Sequence, residues 1–263
     1  MAVNSLYRGG FLGQAALGML VLGVAACNKH QVVQGECRPV HGSNVCVWGE
    51  TAGNAVVAFG ATVPDAVVDS APADAPMVWP PATAAVIPLP EAVSAGTGFK
   101  VMTVFWEPHG HPPGPYLVPH FDFHFYTSTA AEVNAIDCAD STKPAQLPAA
   151  FELPDVPIPG MGVLLGLCVP TMGMHSLLAA ELHATTTFQK TMIVGYYHGH
   201  PIFLEPMITR ATLLEHRSFG LDIPAVPDRP AAVRYPTTFR ADYDSTAHAY
   251  KFVWSGLAAA GTP

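Results

Sequence analysis

The sequence predicts a mainly β fold: an antiparallel β-barrel or sandwich-like domain with few short helices and long Pro-rich loops. Three observations carry this. Several runs are rich in β-branched and aromatic residues, one of them, HFDFHFY at 120–126, alternates strictly, and prolines are spread so densely that long helices have little room.

Taken in order, residues 28 to about 60 read as a disulfide-tied N-terminal segment ending in the strand-like Ala55-Val-Val-Ala-Phe59. From Ala61 to Gly98 the composition turns to Ala, Pro and Val, with prolines at 64, 72, 76, 80, 81, 88 and 90. That density excludes a long helix or a central strand and predicts extended segments and edge pairings. Residues 28–95 are therefore set apart as an N-terminal segment with an Ala/Pro-rich extension, 96–255 as a His-rich β domain, and 256–263 as a tail. Within the β domain, Phe99–Trp106 and 120–126 read as strands. Thr129-Ala-Ala-Glu132 matches a capping box opening a short helix. Thr186–Tyr197 and Pro201–Glu205 flank His198-Gly199-His200 as an antiparallel hairpin, Glu205 closing its strand before a proline, and Ala247–Trp254 reads as a last strand. No repeat of 20 to 50 residues is present, which leaves solenoids and propellers unsupported.

The first 27 residues read as an address, either a lipoprotein-type signal or, as the alternatives, an ordinary secretory signal with a chance Cys or an uncleaved span. Arg8 supplies a positive start, FLGQAALGMLVLGVAA an apolar run, and Val24-Ala25-Ala26-Cys27 resembles the bacterial lipobox, which makes Cys27 the lipidation site of an exported, membrane-anchored lipoprotein facing the periplasm or cell exterior. The apolar run is shorter than the roughly 20 residues a bilayer core requires of a spanning helix. Four cysteines then remain, Cys37, Cys46, Cys138 and Cys168, an even number in an oxidising compartment. Three pairings are possible. The turn chemistry of Gly42-Ser43-Asn44 makes Cys37–Cys46 the simplest local bridge, which leaves Cys138 with Cys168.

Only 12% of residues are charged and the formal net charge is -8, without a Lys/Arg cluster, which argues against nucleic acid as a partner. Twelve histidines, by contrast, fall unevenly, and the dense stretch runs from Glu107 to Tyr126. On a strand, His120, Asp122, His124 and Tyr126 share one face and three phenylalanines the other. The phenylalanine face must be core, which leaves the polar face either wet or lining a cavity. Two histidines four residues apart lie roughly 13 Å apart at ~3.3 Å per residue, too far to share one ion unless the strand bends. Ligands from elsewhere are needed: His111 from the Gly/Pro-rich loop, His175 after Met172-Gly-Met174, and Glu205. The expectation is one loop-completed site for Zn2+ or a similar divalent transition metal, drawing on His111, His120, His124, His175 and Glu205. Asp122, Tyr126 and His109 are supporting or catalytic candidates. Histidine richness disfavours calcium and magnesium, which prefer oxygen ligands.

GHPPGPYLVPHFDFHFY, LCVPTMGMH and TTTFQKTMIVGYYHGHPIFLEPMITRATLL, in that order, resemble a family of exported bacterial domains of unknown function, typified by the Thermus protein controlled by the sigma-E/anti-sigma-E pair. The likeness covers about residues 96–215 and implies a fold neighbourhood and an address, not a reaction. It also implies that His111, His120, His124, His175 and Glu205 occupy the family's polar positions. The reading preferred from sequence is a lipid-anchored metal-binding β domain. A metal-dependent hydrolase or lyase, and a metal-free homo-oligomeric envelope scaffold, are the alternatives.

Overall fold

A computed structural model describes Met1 and residues 29–160 and 162–258; the signal segment with Cys27, and the end of the tail, lie outside the described residues. The chain forms two antiparallel sheets laid face to face and a small hairpin. Of the two expected architectures it is the sandwich, since neither large sheet closes on itself.

The first sheet has six strands. β1 (His30–Val40), β2 (Ser43–Ala52) and β3 (Ala55–Pro64) form a meander, and β3 pairs with the chain's last strand. After helix α1 (Asp65–Asp69), β4 (Thr83–Pro88) opens the second sheet as its edge strand, where a proline-rich sequence is tolerated. Helix α2 (Glu91–Thr97) leads to β5 (Val101–Glu107), a loop with a 3₁₀ turn at Gly114–Tyr116, and β6 (His120–Tyr126). Helix α3 (Ala130–Asn134) follows, its N-terminus held by the expected capping box: the Glu132 amide donates to the Thr129 hydroxyl, and the Thr129 amide to the Glu132 carboxylate.

Short β7 (Phe151–Glu152), the hairpin β8 (Val156–Ile158) with β9 (Gly162–Leu164), and a 3₁₀ turn at Leu165–Leu167 precede β10 (Met174–Leu178) and α4 (Ala179–Leu182). The second sheet is completed by β11 (Lys190–Tyr197) and β12 (His200–Thr209), joined at the expected His-Gly-His turn, in the order β4-β5-β6-β12-β11-β10-β7. After α5 (Arg210–Leu213), strands β13 (Phe219–Leu221), β14 (Thr238–Asp244) and β15 (Ala249–Ser255) return to the first sheet. The N-terminal strands and the final strand are thus one ladder, with Phe59 opposite Trp254.

Both anticipated disulfides are present. Cys37–Cys46 joins directly opposed residues of β1 and β2, and Cys138–Cys168 closes a span of 30 residues. Among the described residues no helix is long and apolar enough to cross a membrane.

One local expectation is corrected. Glu205 does not end its strand: β12 runs on through Pro206 to Thr209. The ladder to β6 absorbs the proline by skipping, since Leu204 pairs with Phe125 and Met207 with Asp122 and no pair forms between them. A residue without an N–H is tolerated here because the strand remains paired on its other side, where Met192 lies opposite Pro206.

The sandwich core is aromatic. Phe121, Phe123 and Phe125 point from β6 into it, Phe123 meeting Phe252 at 4.9 Å and Phe125 meeting Trp254 at 5.3 Å between ring centroids. The opposite face of the second sheet is buried as well. Val101, Tyr126, Ile193, Phe203 and Met207 on that face pack under Tyr116, Val156, Leu167 and Phe188, contributed by the loops and the small hairpin. This covered outer face is where the polar residues of β6 lie.

Candidate metal centre

Strand registry assembles the centre. On β5 and β6, Glu107 lies opposite His120, Phe105 opposite Asp122, and Thr103 opposite His124, without a bulge. On β11 and β12, Ile193 lies opposite Glu205, and β10 brings His175 opposite Gly195. Pleating therefore points Glu107, Thr103, His120, Asp122, His124 and Glu205 to one side of the sheet. All are at most 6% exposed, and so is His175.

Because the strand is unbent, its two histidines fall into separate groups. His124, His175 and Glu205 form one triad, and His111, His120 and Asp122 form another; in each, the donor atoms lie within 4.8 Å of one another. In the first triad, His124 Nε2 is 3.4 Å from His175 Nε2 and 3.4 Å from Glu205 Oε2, and His175 Nε2 is 3.8 Å from that same oxygen. In the second, His120 Nε2 is 3.3 Å from Asp122 Oδ1, and the rings of His111 and His120 are 4.9 Å apart. These carboxylate oxygens are within ion-pair reach but off the hydrogen-bonding direction: His120 Nε2, Asp122 Oδ1 and Glu205 Oε2 have no hydrogen-bond partner among the described residues.

The other ring nitrogens explain the orientation. His175 Nδ1–H donates to the Leu167 carbonyl at 3.0 Å, His120 Nδ1–H to Val118 at 2.6 Å, and His111 Nδ1–H to Pro112 at 2.9 Å. A proton fixed on Nδ1 leaves the Nε2 lone pair facing inward, the arrangement that orients metal-binding imidazoles. Without a bound ion, His124 Nε2–H donates to His175 Nε2 at 3.4 Å, and the ring packs edge-on to Phe203 at 4.7 Å and stacks on Tyr126 at 5.6 Å.

Two glycines make room. Gly110 has φ +68°, and a Cβ there would meet the Tyr116 carbonyl at 2.1 Å, so the loop can turn His111 inward only with glycine at this position. At Gly195 a Cβ would strike the Phe203 ring, which packs against both His124 and His175.

The electrostatics are those of neutral groups forced together in a dry place. Burial lowers the histidines: His120 and His124 well below their ordinary value, each further depressed by a neighbouring imidazole, His175 to about 4, and His111 in the same direction. Burial raises the carboxyls: Glu107 to about 7, and Asp122 and Glu205 well above the usual range, Asp122 also through its carboxylate neighbours Glu205 and Glu107. Among the described residues these three carboxylates have no Lys or Arg ion-pair partner.

A small recess of ≈ 40 Å3, opening to solvent, reaches both triads. His111, Asp122, His175, Glu205 and Glu107 line it, with apolar walls from Trp79, Ile158, Leu164, Val169, Met172 and others.

Of the residues singled out from sequence, His111, His120, His124, His175, Glu205 and Asp122 all stand in the two triads. Tyr126 lies beside them, but its hydroxyl donates to the Met172 carbonyl at 3.3 Å and so positions the loop. His109 is exposed and bonds to the Ala75 carbonyl, away from the centre. Glu107 was not singled out; its signal lay in strand pairing, because it sits opposite His120 on the same pleat. No family model, curated protein or solved structure matches this chain.

Proposed function

We propose that this protein is an exported, envelope-attached metalloprotein that holds a zinc-class divalent ion between His124, His175 and Glu205. The observation that carries the reading is the mutual spacing of three inward-facing donor atoms at 3.4, 3.4 and 3.8 Å. Ligands bound at about 2.0–2.1 Å in a tetrahedral site lie about 3.3 Å from one another. Two nitrogens and one carboxylate favour a transition metal over calcium or magnesium. The backbone bond from His175 Nδ1 supplies the outer support such sites require. The address is supported by the lipobox-like Val24-Ala25-Ala26-Cys27 and by two disulfides.

A specific observation favours catalysis as a second reading: the triad supplies three ligands and borders a recess rather than closing a fourth protein ligand around the ion. An ion held by His124, His175 and Glu205 would supply Lewis-acid chemistry of the kind hydrolases and lyases use. Glu107, on the same recess with its carboxyl raised to about 7, is suited to accept and return a proton near neutrality. No Gly-x-Ser-x-Gly nucleophile motif is present in the sequence, and the cysteines described are paired, so the ion and Glu107 would carry the chemistry.

Elemental analysis of the purified protein after exhaustive dialysis tests the metal reading. The parent is expected to retain zinc, and His124→Ala combined with His175→Ala to lose at least one equivalent per chain. A metal-free parent, or the same zinc content in parent and variant, overturns it.

A further inference from the structure

We infer that His111, His120 and Asp122 form a second divalent-metal site, so that the recess borders two ion sites rather than one. This deepens the metal reading and rests on it only in taking the neighbouring triad as the first site.

Four observations support it. The three residues bring their donor atoms within 4.8 Å of one another, as the first triad does. His120 Nε2 and Asp122 Oδ1 are fully buried, 3.3 Å apart, and lack hydrogen-bond partners among the described residues. Leaving such atoms unpaired is costly, so a fold that keeps several of them close together has a use for them there. His111 and His120 have their Nδ1 protons fixed on backbone carbonyls, which points both Nε2 atoms away from those carbonyls and leaves them free to bind. Glu107, opposite His120, adds a further buried carboxylate whose Oε1 has no partner.

Charge points the same way. Among the described residues, Glu107, Asp122 and Glu205 are gathered without an ion-paired Lys or Arg. One divalent ion cannot balance three ionised carboxylates, so part of the cluster would have to stay protonated. Two divalent ions balance all three and leave one positive charge, which calls for an anionic oxygen from the recess. The recess is small, so that oxygen comes from a small oxyanion.

The number of zinc ions per chain, by elemental analysis of the dialysed protein, tests the inference. Two are expected for the parent, one for Asp122→Asn combined with His120→Asn, and one for His124→Asn combined with His175→Asn, with near-UV circular dichroism checking the fold. One ion in the parent, unaffected by Asp122→Asn, overturns the second site while the first stands. No ion in the parent overturns both. Should the double variants fail to fold, cobalt titration of the parent decides: two bound equivalents support the second site, and a single equivalent overturns it. Formate added to the cobalt protein is expected to shift its visible spectrum at millimolar concentration, and an unchanged spectrum overturns the assignment of a small oxyanion.

Discussion

Phe121, Phe123 and Phe125 on one face of β6 and His120, Asp122 and His124 on the other are all buried, yet only the first set is satisfied by its surroundings. The phenylalanines interlock with Phe252 and Trp254 of the opposing sheet and need nothing more. The polar set is just as dry, under loops instead of a sheet, and leaves inward atoms without partners. Burial alone therefore does not separate structure from function in this strand. What separates them is whether the buried atoms are partnered by protein.

The comparison breaks first at Phe123. Truncation to alanine removes an aromatic side chain from the middle of the sandwich, and such changes cost about 3–5 kcal/mol. We expect denaturant melts of Phe123→Ala to show a loss of that size while the zinc content of the folded protein matches the parent. Loss of metal in a variant that still folds would mean that the two faces are not separable.

The disulfides sharpen the comparison next, because one lies far from the polar face and the other beside it. Loop closure predicts about 3.6 kcal/mol for Cys138–Cys168, with a separation of 30, and about 2.6 kcal/mol for Cys37–Cys46, with a separation of 9. The larger difference should appear in zinc affinity. Cys168 follows Leu167, whose carbonyl holds His175 Nδ1 and whose own backbone sits at φ +47°. Replacing Cys138 and Cys168 by serine is expected to weaken zinc binding about tenfold or more, the range seen when the outer support of a metal ligand is removed. Replacing Cys37 and Cys46 should leave zinc binding unchanged. Competition with a chromogenic chelator measures both, and equal affinities in the two variants would detach the loop from the site.

The two faces also differ in how far they could be read from sequence. Strand period alone assigned the phenylalanines to the core, because alternation needs no partner to be interpreted. The strands Phe99–Trp106 and 120–126, the His-Gly-His hairpin, the Thr129 cap and the final strand were legible for the same local reason. The polar face required knowing which strands are neighbours. Spacing showed that His120 and His124 could not share an ion on a straight strand, but which partner each takes depends on registry between β6, β12 and β10, whose residues are up to 89 positions apart. Glu107 escaped notice for that reason, and Glu205 was placed at a strand end because Pro206 reads locally as a stop.

The smallest effect expected is also the one that most directly tests the imbalance between the faces. Glu205 is raised well above its ordinary 4.5 by burial, so the metal-free folded state keeps a proton that the unfolded chain releases. A group raised in this way contributes stability that is complete below the unfolded value and is lost as pH climbs through the folded one. Glu107, raised to about 7, acts in the same sense between 4.5 and 7. The histidines act oppositely: with His175 lowered to about 4, stability present above 6.5 is lost as pH falls toward 4. Glutamine at 205 cannot ionise in either state. Metal-free Glu205→Gln should therefore melt above the metal-free parent at pH 8, with the gap closing toward pH 4. Zinc should reverse the order at pH 8, because binding to the parent stabilises it by about 2.7 kcal/mol at a hundredfold excess over Kd and the variant lacks the carboxylate ligand. Differential scanning calorimetry with and without zinc measures both orders. A variant less stable than the parent in the absence of metal would mean that Glu205 is already satisfied by the protein, and that the outer face of β6 is as self-sufficient as the inner one.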